Sequence, residues 1–380
     1  MAAVDHELAD MRGKEYKNLE KLLEEKGIQA ARGEMKKKLQ KWEETEIEIG
    51  VTGCSGVGKS SFINFVRDKG DEDEGAAKVD VVEKTDEAER FHFKGKITFV
   101  DLPGIGSKKY PDLDTYSKNV ELETYHTFLI LTCTRFTDLE LQLAQKIKSC
   151  GKSFFLVRTK IDIDEMNDKR KKNHDLEKML KKIRDYVYKE VKDVEGISES
   201  DIFLISNVKG KYPEEKRFDF ERLLCAIKSS LTREQKEALT RSVKLFSRQF
   251  VEEKVEILKG ELWTIAFLHV LASPIHVISL GFFSYVVDWS EINRRIKKYK
   301  SIIGLPDESS HEFTLLKPEF QERLKSICEY AELWKRIKEN GFHFYEARCQ
   351  VQKILEQSLG EMKDLSFDIL DDFAKGDDQA

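Results

Sequence analysis

The chain has 380 residues, of which 36% are charged and 40% are hydrophobic, and its formal net charge is -5 at pH 7. That length can bury a sizeable core and allows two domains. With 65 basic against 70 acidic side chains, the composition offers no broad attraction to nucleic acid, so we expect no nucleic-acid partner. The six cysteines form no C-x-x-C pair, which argues against a zinc site and favours reduced thiols.

Residues 1–45 contain the first predicted elements, a set of N-terminal helices. Apolar residues recur there at helical spacing among Lys and Glu, at Leu19, Leu22, Leu23, Met35, Leu39 and Trp42. This pattern favours amphipathic helices that pack on another part of the chain over a helix on a membrane surface. The N-terminus lacks an apolar signal-peptide core and a Gly at position 2, so we expect a cytoplasmic protein without N-myristoylation.

Between residues 46 and 231, short apolar runs alternate with polar segments of helical spacing. Strands are predicted at 47–51, 91–93, 97–100, 128–132, 154–157 and 202–205. Their alternation with helices predicts an α/β fold with a mostly parallel sheet that is covered by helices on both faces. In such sheets the ligand-binding loops gather at the carboxyl ends of the strands.

A complete phosphate-binding loop of the pattern G-x-x-x-x-G-K-[ST] follows the first strand. The predicted nucleotide contacts here are Gly53, Cys54, Ser55, Gly56, Val57, Gly58, Lys59, Ser60 and Ser61. Glycines let backbone N–H groups approach phosphate oxygens, and the following helix directs its positive end at the same anion. Lys59 is expected to reach the β- and γ-phosphates, and the Ser60 hydroxyl to bind Mg²⁺. The alternative, a Gly-rich turn with an exposed lysine, is disfavoured by the strand and helix that flank the loop.

The third predicted strand leads into a D-x-x-G element. Here Asp101 is expected to steady Mg²⁺, often through water, and the N–H of Gly104 to sense the γ-phosphate. A hydroxyl from residues 70–90 should complete the Mg²⁺ shell, and Thr85 is the candidate, against the alternative of an exposed loop threonine. No glutamine stands just beyond Gly104, so we expect hydrolysis to be slow or to be completed by groups supplied in trans.

Two further strand ends have residues suited to recognising guanine. In the sequence Thr159-Lys160-Ile161-Asp162, the Asp162 carboxylate can accept from guanine N1–H and the 2-amino group, neither of which adenine offers. Thr159 stands where Asn is commoner and cannot supply the same amide contacts, whereas Lys160 can lay its alkyl stem along the base. After the last strand, Ser206 and Asn207 form a short turn whose backbone N–H would meet the base oxygen. A solvated loop is the alternative for the T-K-x-D sequence.

From residue 232 onwards helical spacing replaces the strand pattern, which predicts a helical bundle over 232–380 that the N-terminal helices would join. The stretch Leu262–Val287 has no Asp, Glu, Lys or Arg and is long enough to span a bilayer. Pro274 and Gly281 interrupt it, so we favour a buried helical hairpin over a membrane-inserting one.

Four segments together resemble the immunity-related GTPases, the interferon-inducible p47 family: GCSGVGKSSFINF at 53–65, EGAAKVDVV at 74–82, DLPGIG at 101–106 and VRTKID at 157–162. The resemblance implies a Ras-like G domain over 46–231, flanked by a helical domain built from 1–45 and 232–380. Lys59 is typical of the GKS branch of that family. Glu83 matches the family's catalytic glutamate and Thr85 a switch threonine, whereas Val79 stands where relatives can have a second threonine.

The resemblance further implies binding of GTP and GDP, self-association through G domains that speeds hydrolysis, and a role in cell-autonomous defence at intracellular membranes. Residues and resemblance together predict a Mg²⁺-dependent GTPase, cytoplasmic and peripherally associated with such a membrane surface. A guanine-nucleotide-dependent scaffold or regulator with little hydrolysis is the alternative. An ATPase is the third hypothesis, which the role given to Asp162 disfavours.

Overall fold

The computed structural model describes residues 21–79 except 23 and 28, together with 87–194, 197–208, 218–243, 247–272, 289–328 and 344–377. The chain divides into two compact units, one comprising Trp42–Leu245 and the other drawn from Met1–Lys41 and Phe246–Ala380. The boundary predicted at 231/232 lies inside the first of these units and stays a prediction.

The unit Trp42–Leu245 is built on a six-stranded sheet with the order β2-β3-β1-β4-β5-β6. The strands are β1 (Glu46–Gly53), β2 (Glu89–His92), β3 (Lys96–Asp101), β4 (Thr127–Thr132), β5 (Ser153–Arg158) and β6 (Ile202–Leu204). Among these strands β2 alone runs antiparallel to its neighbour. Every residue of β4 is buried, as expected for a parallel strand covered on both faces. The predicted α/β fold with a mostly parallel sheet is therefore confirmed.

Helices account for most of the remaining described residues. In chain order they are α1 (29–40), α2 (Lys59–Val66), α3 (Leu113–Val120), α4 (Asp138–Ser149), α5 (Ile161–Asp168), α6 (Leu176–Val191), α7 (Phe220–Ser229), α8 (Arg233–Ser242), α9 (Arg248–Ala272), α10 (Trp289–Ile303), α11 (His311–Leu315), α12 (Pro318–Cys328) and α13 (Phe344–Asp377). Single turns of 3-10 helix lie at Lys41–Glu44, Leu122–Thr124 and Glu199–Asp201. Helices α2 to α8 belong to the unit Trp42–Leu245.

Side chains that cap the backbone fix where several helices begin. Thr137 and Glu140 form a reciprocal capping box at α4, which satisfies backbone N–H groups that have no partner inside the helix. Asp112 caps α3 and Asp175 caps α6. The side chain of each accepts a hydrogen bond from the backbone N–H of the residue three positions later in the chain. These starts follow from local sequence.

Aromatic packing holds the first helix after β1 against the sheet. The ring of Phe62 meets that of Phe99 edge-on with centroids 6.3 Å apart, and Phe65 meets Phe220 of α7 at 4.9 Å. Phe62 and Phe99 are each 1% exposed, so their burial contributes to a rigid base for the loop that precedes α2.

In the described residues of the second unit the regular structure is helical, and α9 and α13 pack along each other. Its core includes Leu258, Leu355 and Met362, each fully buried. The uncharged stretch begins within α9, where Leu262 and Ile265 are also buried. Residues 273–288 lie outside the described part, so the choice between a buried and a membrane-inserting hairpin stays a prediction. No helix in the described ranges is long and apolar enough to cross a membrane.

Candidate functional site

The loop between β1 and α2 has a backbone that requires glycine at particular positions. Gly53 has φ 138°, and a Cβ there would lie 2.1 Å from the carbonyl oxygen of Leu131 in β4. Gly58, the residue before α2, has φ 92°. Because both conformations disfavour a side chain, the glycines of the motif let the loop turn directly from the sheet edge into the helix.

Lys59 is folded back over this loop. Its side chain is buried, with 8% exposure, and Nζ donates to the carbonyl oxygens of Gly53 (3.2 Å) and Cys54 (3.1 Å). These two bonds hold a positive charge at the loop. A phosphate oxygen is a stronger acceptor for an ammonium than a carbonyl, so Lys59 is poised to exchange partners.

Ser60 and Asp101 form a hydroxyl–carboxylate pair next to the loop. The Ser60 hydroxyl donates to Asp101 Oδ2 at 2.6 Å, and Asp101 is only 2% exposed. Burial raises the pKa of Asp101, while Ser60 and Lys59 act in the opposite direction. Asp101 Oδ1 is buried and has no hydrogen-bond partner within the described ranges. A buried, unpaired carboxylate oxygen beside a hydroxyl fits a hard cation such as Mg²⁺.

The residues predicted to recognise the base also hold the phosphate loop. Consecutive loop carbonyl oxygens each accept a side-chain hydrogen bond: Gly56 from Lys160 Nζ (2.8 Å), Val57 from Thr159 Oγ1 (2.6 Å) and Gly58 from Asn207 Nδ2 (3.1 Å). Thr159 is fully buried, so its hydroxyl faces the loop and not solvent. The sequence did not predict this function for Thr159, which lies where an amide side chain is commoner.

Asp162 lies in the first turn of α5 and is partly exposed. Its Oδ1 accepts from the Ser206 hydroxyl at 2.8 Å, and the backbone N–H of Ile161 donates to the carbonyl of Ile205 at 3.2 Å. These contacts join the loop after β5 to the loop after β6. Lys160 adopts φ 62°, which turns the chain sharply into α5.

Glu140 is a site residue that sequence reasoning missed. It is fully buried, and its Oε1 accepts from the backbone N–H of Cys54 at 2.9 Å while Oε2 accepts from that of Thr137 at 2.8 Å. Burial, with Glu140 adding to it, raises the pKa of the Cys54 thiol to about 11, so this cysteine stays a thiol. The T-x-x-E pattern indicates a cap, but the bond to Cys54 depends on the tertiary fold.

Asn64 of α2 fastens the segment that follows the helix. Its amide pairs with both backbone groups of Ala77, Nδ2 donating to the carbonyl at 2.8 Å and Oδ1 accepting from the N–H at 2.6 Å. Residues 80–86 lie outside the described residues, so the roles given to Glu83 and Thr85 stay predictions. The segment that leads to them is thus held by the same helix that carries Ser60.

The remaining predicted residues also lie along this edge of the sheet. Gly104 is buried just after β3, Ser55 is exposed in the loop, and Ser61 lies in the first turn of α2. The ends of β1, β3, β5 and β6 are thereby joined by the hydrogen bonds described above. Strand order and loop geometry together define a P-loop nucleotide-binding protein.

Comparison with known proteins identifies the family. The family model "Interferon-inducible GTPase (IIGP)" matches residues 13–367, so the chain belongs to the interferon-inducible GTPase family. Interferon-inducible GTPase 1 of Mus musculus is 33% identical over 301 residues, covering 78% of this chain and 70% of the relative. Interferon-gamma-inducible GTPase 10 of Mus musculus is 31% identical over 292 residues, covering 75% and 67%. The predicted family and the predicted class of enzyme, a GTPase, are confirmed.

Among solved structures, that of a probable GTP-binding protein, engB, is similar to this chain. The match has 14% sequence identity and a TM-score of 0.31, and it covers 48% of this chain and 97% of the engB chain. The fold assignment depends on the strand order described above and not on that match.

Proposed function

We propose that this protein is a Mg²⁺-dependent GTPase in which the loop Gly53–Ser61 binds the phosphates and Asp162 recognises guanine. The observation that carries the proposal is the set of hydrogen bonds from Thr159, Lys160 and Asn207 to the phosphate loop. Because base-recognition and phosphate-binding groups are fastened to one another, a single nucleotide can engage both. Asp162 favours guanine because its carboxylate accepts from N1–H and the 2-amino group.

Lys59, Ser60 and Asp101 are the residues proposed to act on the phosphates. Mg²⁺, when bound, neutralises charge on the β- and γ-phosphate oxygens. Ser60 and Asp101 would hold it, with Thr85 added when the γ-phosphate is present, and Lys59 would donate to the phosphates directly. The N–H of Gly104 would sense the γ-phosphate at the end of β3.

Hydrolysis by a single molecule is proposed to be slow. Just beyond Gly104 the side chain of Ile105 is buried, with 2% exposure, and the N–H of Gly106 donates to the carbonyl of Tyr110 at 2.8 Å. Neither residue offers a side chain that orients water, so the catalytic group has to come from elsewhere. We propose that Glu83 supplies it across a contact between G domains of two molecules, which makes turnover depend on self-association.

We propose further that the G domain 46–231 reports its nucleotide state to a helical domain formed by 1–45 and 232–380, in a cytoplasmic protein that associates peripherally with intracellular membranes during innate immune defence. Membership of the interferon-inducible GTPase family supports this assignment. The second candidate, a scaffold that binds GTP and GDP but barely hydrolyses GTP, is favoured by the lack of a glutamine beyond Gly104.

The experiment that separates these candidates is GTP turnover per molecule as a function of protein concentration, with and without lipid vesicles. We expect specific activity to rise with concentration, because assembly completes the site. A flat dependence would contradict catalysis in trans. GDP and GTP binding without turnover at any concentration would favour the scaffold.

A further inference from the structure

A pocket of about 370 Å³ lies in the unit Trp42–Leu245, and its lining residues are not among those assigned to the nucleotide. It is lined by Thr134, Arg135, Arg158, Lys182, Ile183 and Tyr186. Its volume is at the lower end of the range, roughly 300–1,000 Å³, that small-molecule sites occupy. The size therefore suits a compact ligand.

Three of the side chains that line the pocket are cationic, and the most deeply placed of them has an unused donor. Arg158 is 8% exposed; its Nη1 donates to the carbonyl of Thr159 at 3.1 Å and its Nη2 to Asp164 Oδ2 at 2.9 Å. Its Nε, which is also buried, has no hydrogen-bond partner among the described residues. A buried guanidinium N–H without an acceptor is unfavourable, and the positive charge of Arg158 favours an anion in the pocket.

The other two cations stand at the rim on separate elements. Arg135 follows β4, where its backbone carbonyl accepts from the buried Thr132 hydroxyl at 2.7 Å, so the loop that presents it is fixed. Lys182 lies on α6 and is exposed. In the described ranges neither Arg135 nor Lys182 forms an ion pair, so their charges are available to a ligand.

Apolar and aromatic surface on α6 completes the wall. Ile183 and Tyr186 are three residues apart and share one face of that helix. The Glu190 carboxylate raises the pKa of Tyr186, and the charges of Arg135 and Arg158 oppose that rise. Of the carboxylates near these side chains, Asp164 is paired with Arg158 and Glu190 acts on Tyr186.

We propose that this pocket binds a small organic phosphate. Its phosphate group would accept from the side chains of Arg135 and Lys182, next to the positive charge of Arg158, while its organic part would pack on Ile183 and Tyr186. Inorganic phosphate alone would leave this apolar wall and most of the volume unfilled. The site adjoins the proposed nucleotide site through the bond from Arg158 to the Thr159 carbonyl, but none of its lining residues is assigned to the nucleotide.

The test is titration of the full chain with phenyl phosphate by isothermal calorimetry, with GDP and Mg²⁺ present throughout so that a nucleotide site is already filled. Phenol and inorganic phosphate serve as the two partial probes. We expect saturable binding of phenyl phosphate, weaker binding of inorganic phosphate and none of phenol. Absence of saturable phenyl phosphate binding would overturn the proposal, and equal affinity for inorganic phosphate would contradict the role given to Ile183 and Tyr186.

Matched double variants locate the binding. Arg135→Ala with Lys182→Ala removes two rim charges and is expected to weaken phenyl phosphate binding about tenfold or more, since two charge-assisted contacts are lost. Lys181→Ala with Lys189→Ala removes two exposed α6 charges outside the pocket and should leave the affinity within about twofold. An equal loss in both double variants would overturn the pocket assignment in favour of diffuse attraction. Thermal melts of both variants confirm that they are folded.

Discussion

The hydroxyl of Thr159 offers a sharp test of how the base-recognition loop supports the phosphate loop. Replacement by valine keeps the shape of the side chain and removes the hydroxyl, which lies 2.6 Å from the Val57 carbonyl oxygen and 3.1 Å from that of Thr132. The Thr132 carbonyl also accepts from the Thr159 N–H at 2.8 Å, so the Val57 carbonyl is the acceptor that the substitution affects. Thr159 is fully buried and Val57 is 4% exposed, so water cannot take over the lost bond without movement of the loop. The Thr159→Val variant therefore isolates one buried hydroxyl donor.

The cost of a buried acceptor that loses its donor is about 1–3 kcal/mol. If the loop keeps its conformation, this cost lowers the free energy of unfolding. If the loop relaxes so that water reaches the Val57 carbonyl, the cost falls on nucleotide affinity, because binding must restore the original loop. The two losses together should therefore total about 1–3 kcal/mol, equivalent to roughly 5- to 150-fold in an equilibrium constant.

Urea unfolding of the nucleotide-free protein and titration with a fluorescent GDP analogue measure the two losses separately. Thr159→Ser keeps the hydroxyl and is the matched control. Its combined loss of unfolding free energy and of GDP-binding free energy should be much smaller. The preference for GDP over ADP should be unchanged in Thr159→Val, because Asp162 is untouched. Unaltered stability together with a changed base preference would refute the loop contact and assign Thr159 to the base.

Three further predictions concern residues around the same loop. Glu140→Gln should lower the free energy of unfolding by about 1.5–3 kcal/mol and weaken GDP binding, since the hydrogen bond from the Cys54 N–H is charge-assisted. Asp138→Asn, at an exposed position of the same helix, is the control, and an equal loss there would contradict the role given to Glu140. Ser206→Ala should weaken GDP binding about two- to tenfold by freeing Asp162, and wild-type affinity would remove Ser206 from the site. Asp101→Asn should raise the melting temperature of Mg²⁺-free protein at pH 7 but weaken Mg²⁺-dependent nucleotide binding.

The pH dependence of the last variant follows from the direction of the shift. Burial raises the pKa of Asp101, so the folded protein binds this proton more readily than the unfolded chain does, and the ionised group destabilises the fold. The stability gap between wild type and Asp101→Asn should close as the pH falls through the raised pKa, because the wild-type carboxyl is then neutral too. A gap that does not change with pH would contradict this origin.

Local patterns were enough to predict much of the fold. The strands around residues 47–51 and 128–132 are apolar runs that correspond to β1 and β4, and the glycine spacing of the loop between Gly53 and Gly58 requires the backbone that is found. Parallel strand order follows because helices separate the strands, which brings Asp101 and Asp162 to one edge of the sheet. These features depend on residues that are close in sequence.

Contacts between distant residues were not predictable in the same way. Glu140 and Cys54 are 86 positions apart, and no pattern in either segment specifies their bond. The sequence indicated only that Thr159 cannot supply the contacts of an amide side chain. It did not predict the bond to Val57, which lies 102 positions away. Arg158 likewise follows a predicted strand without any local pattern that marks it. Only the fold shows that its Nε is buried and unpaired and that it lines a pocket together with residues of α6. Tertiary packing determines all of these.

We propose that one site, formed by the phosphate loop and Asp162, both binds and hydrolyses GTP. GTP turnover by the wild type and by Lys59→Ala at matched concentration, with excess ATP as competitor, tests this proposal. We predict that ATP does not inhibit the wild type and that Lys59→Ala abolishes turnover, because it removes the charge that the bonds to Gly53 and Cys54 hold over the loop. Wild-type turnover in that variant, or strong inhibition by ATP, would contradict the claim.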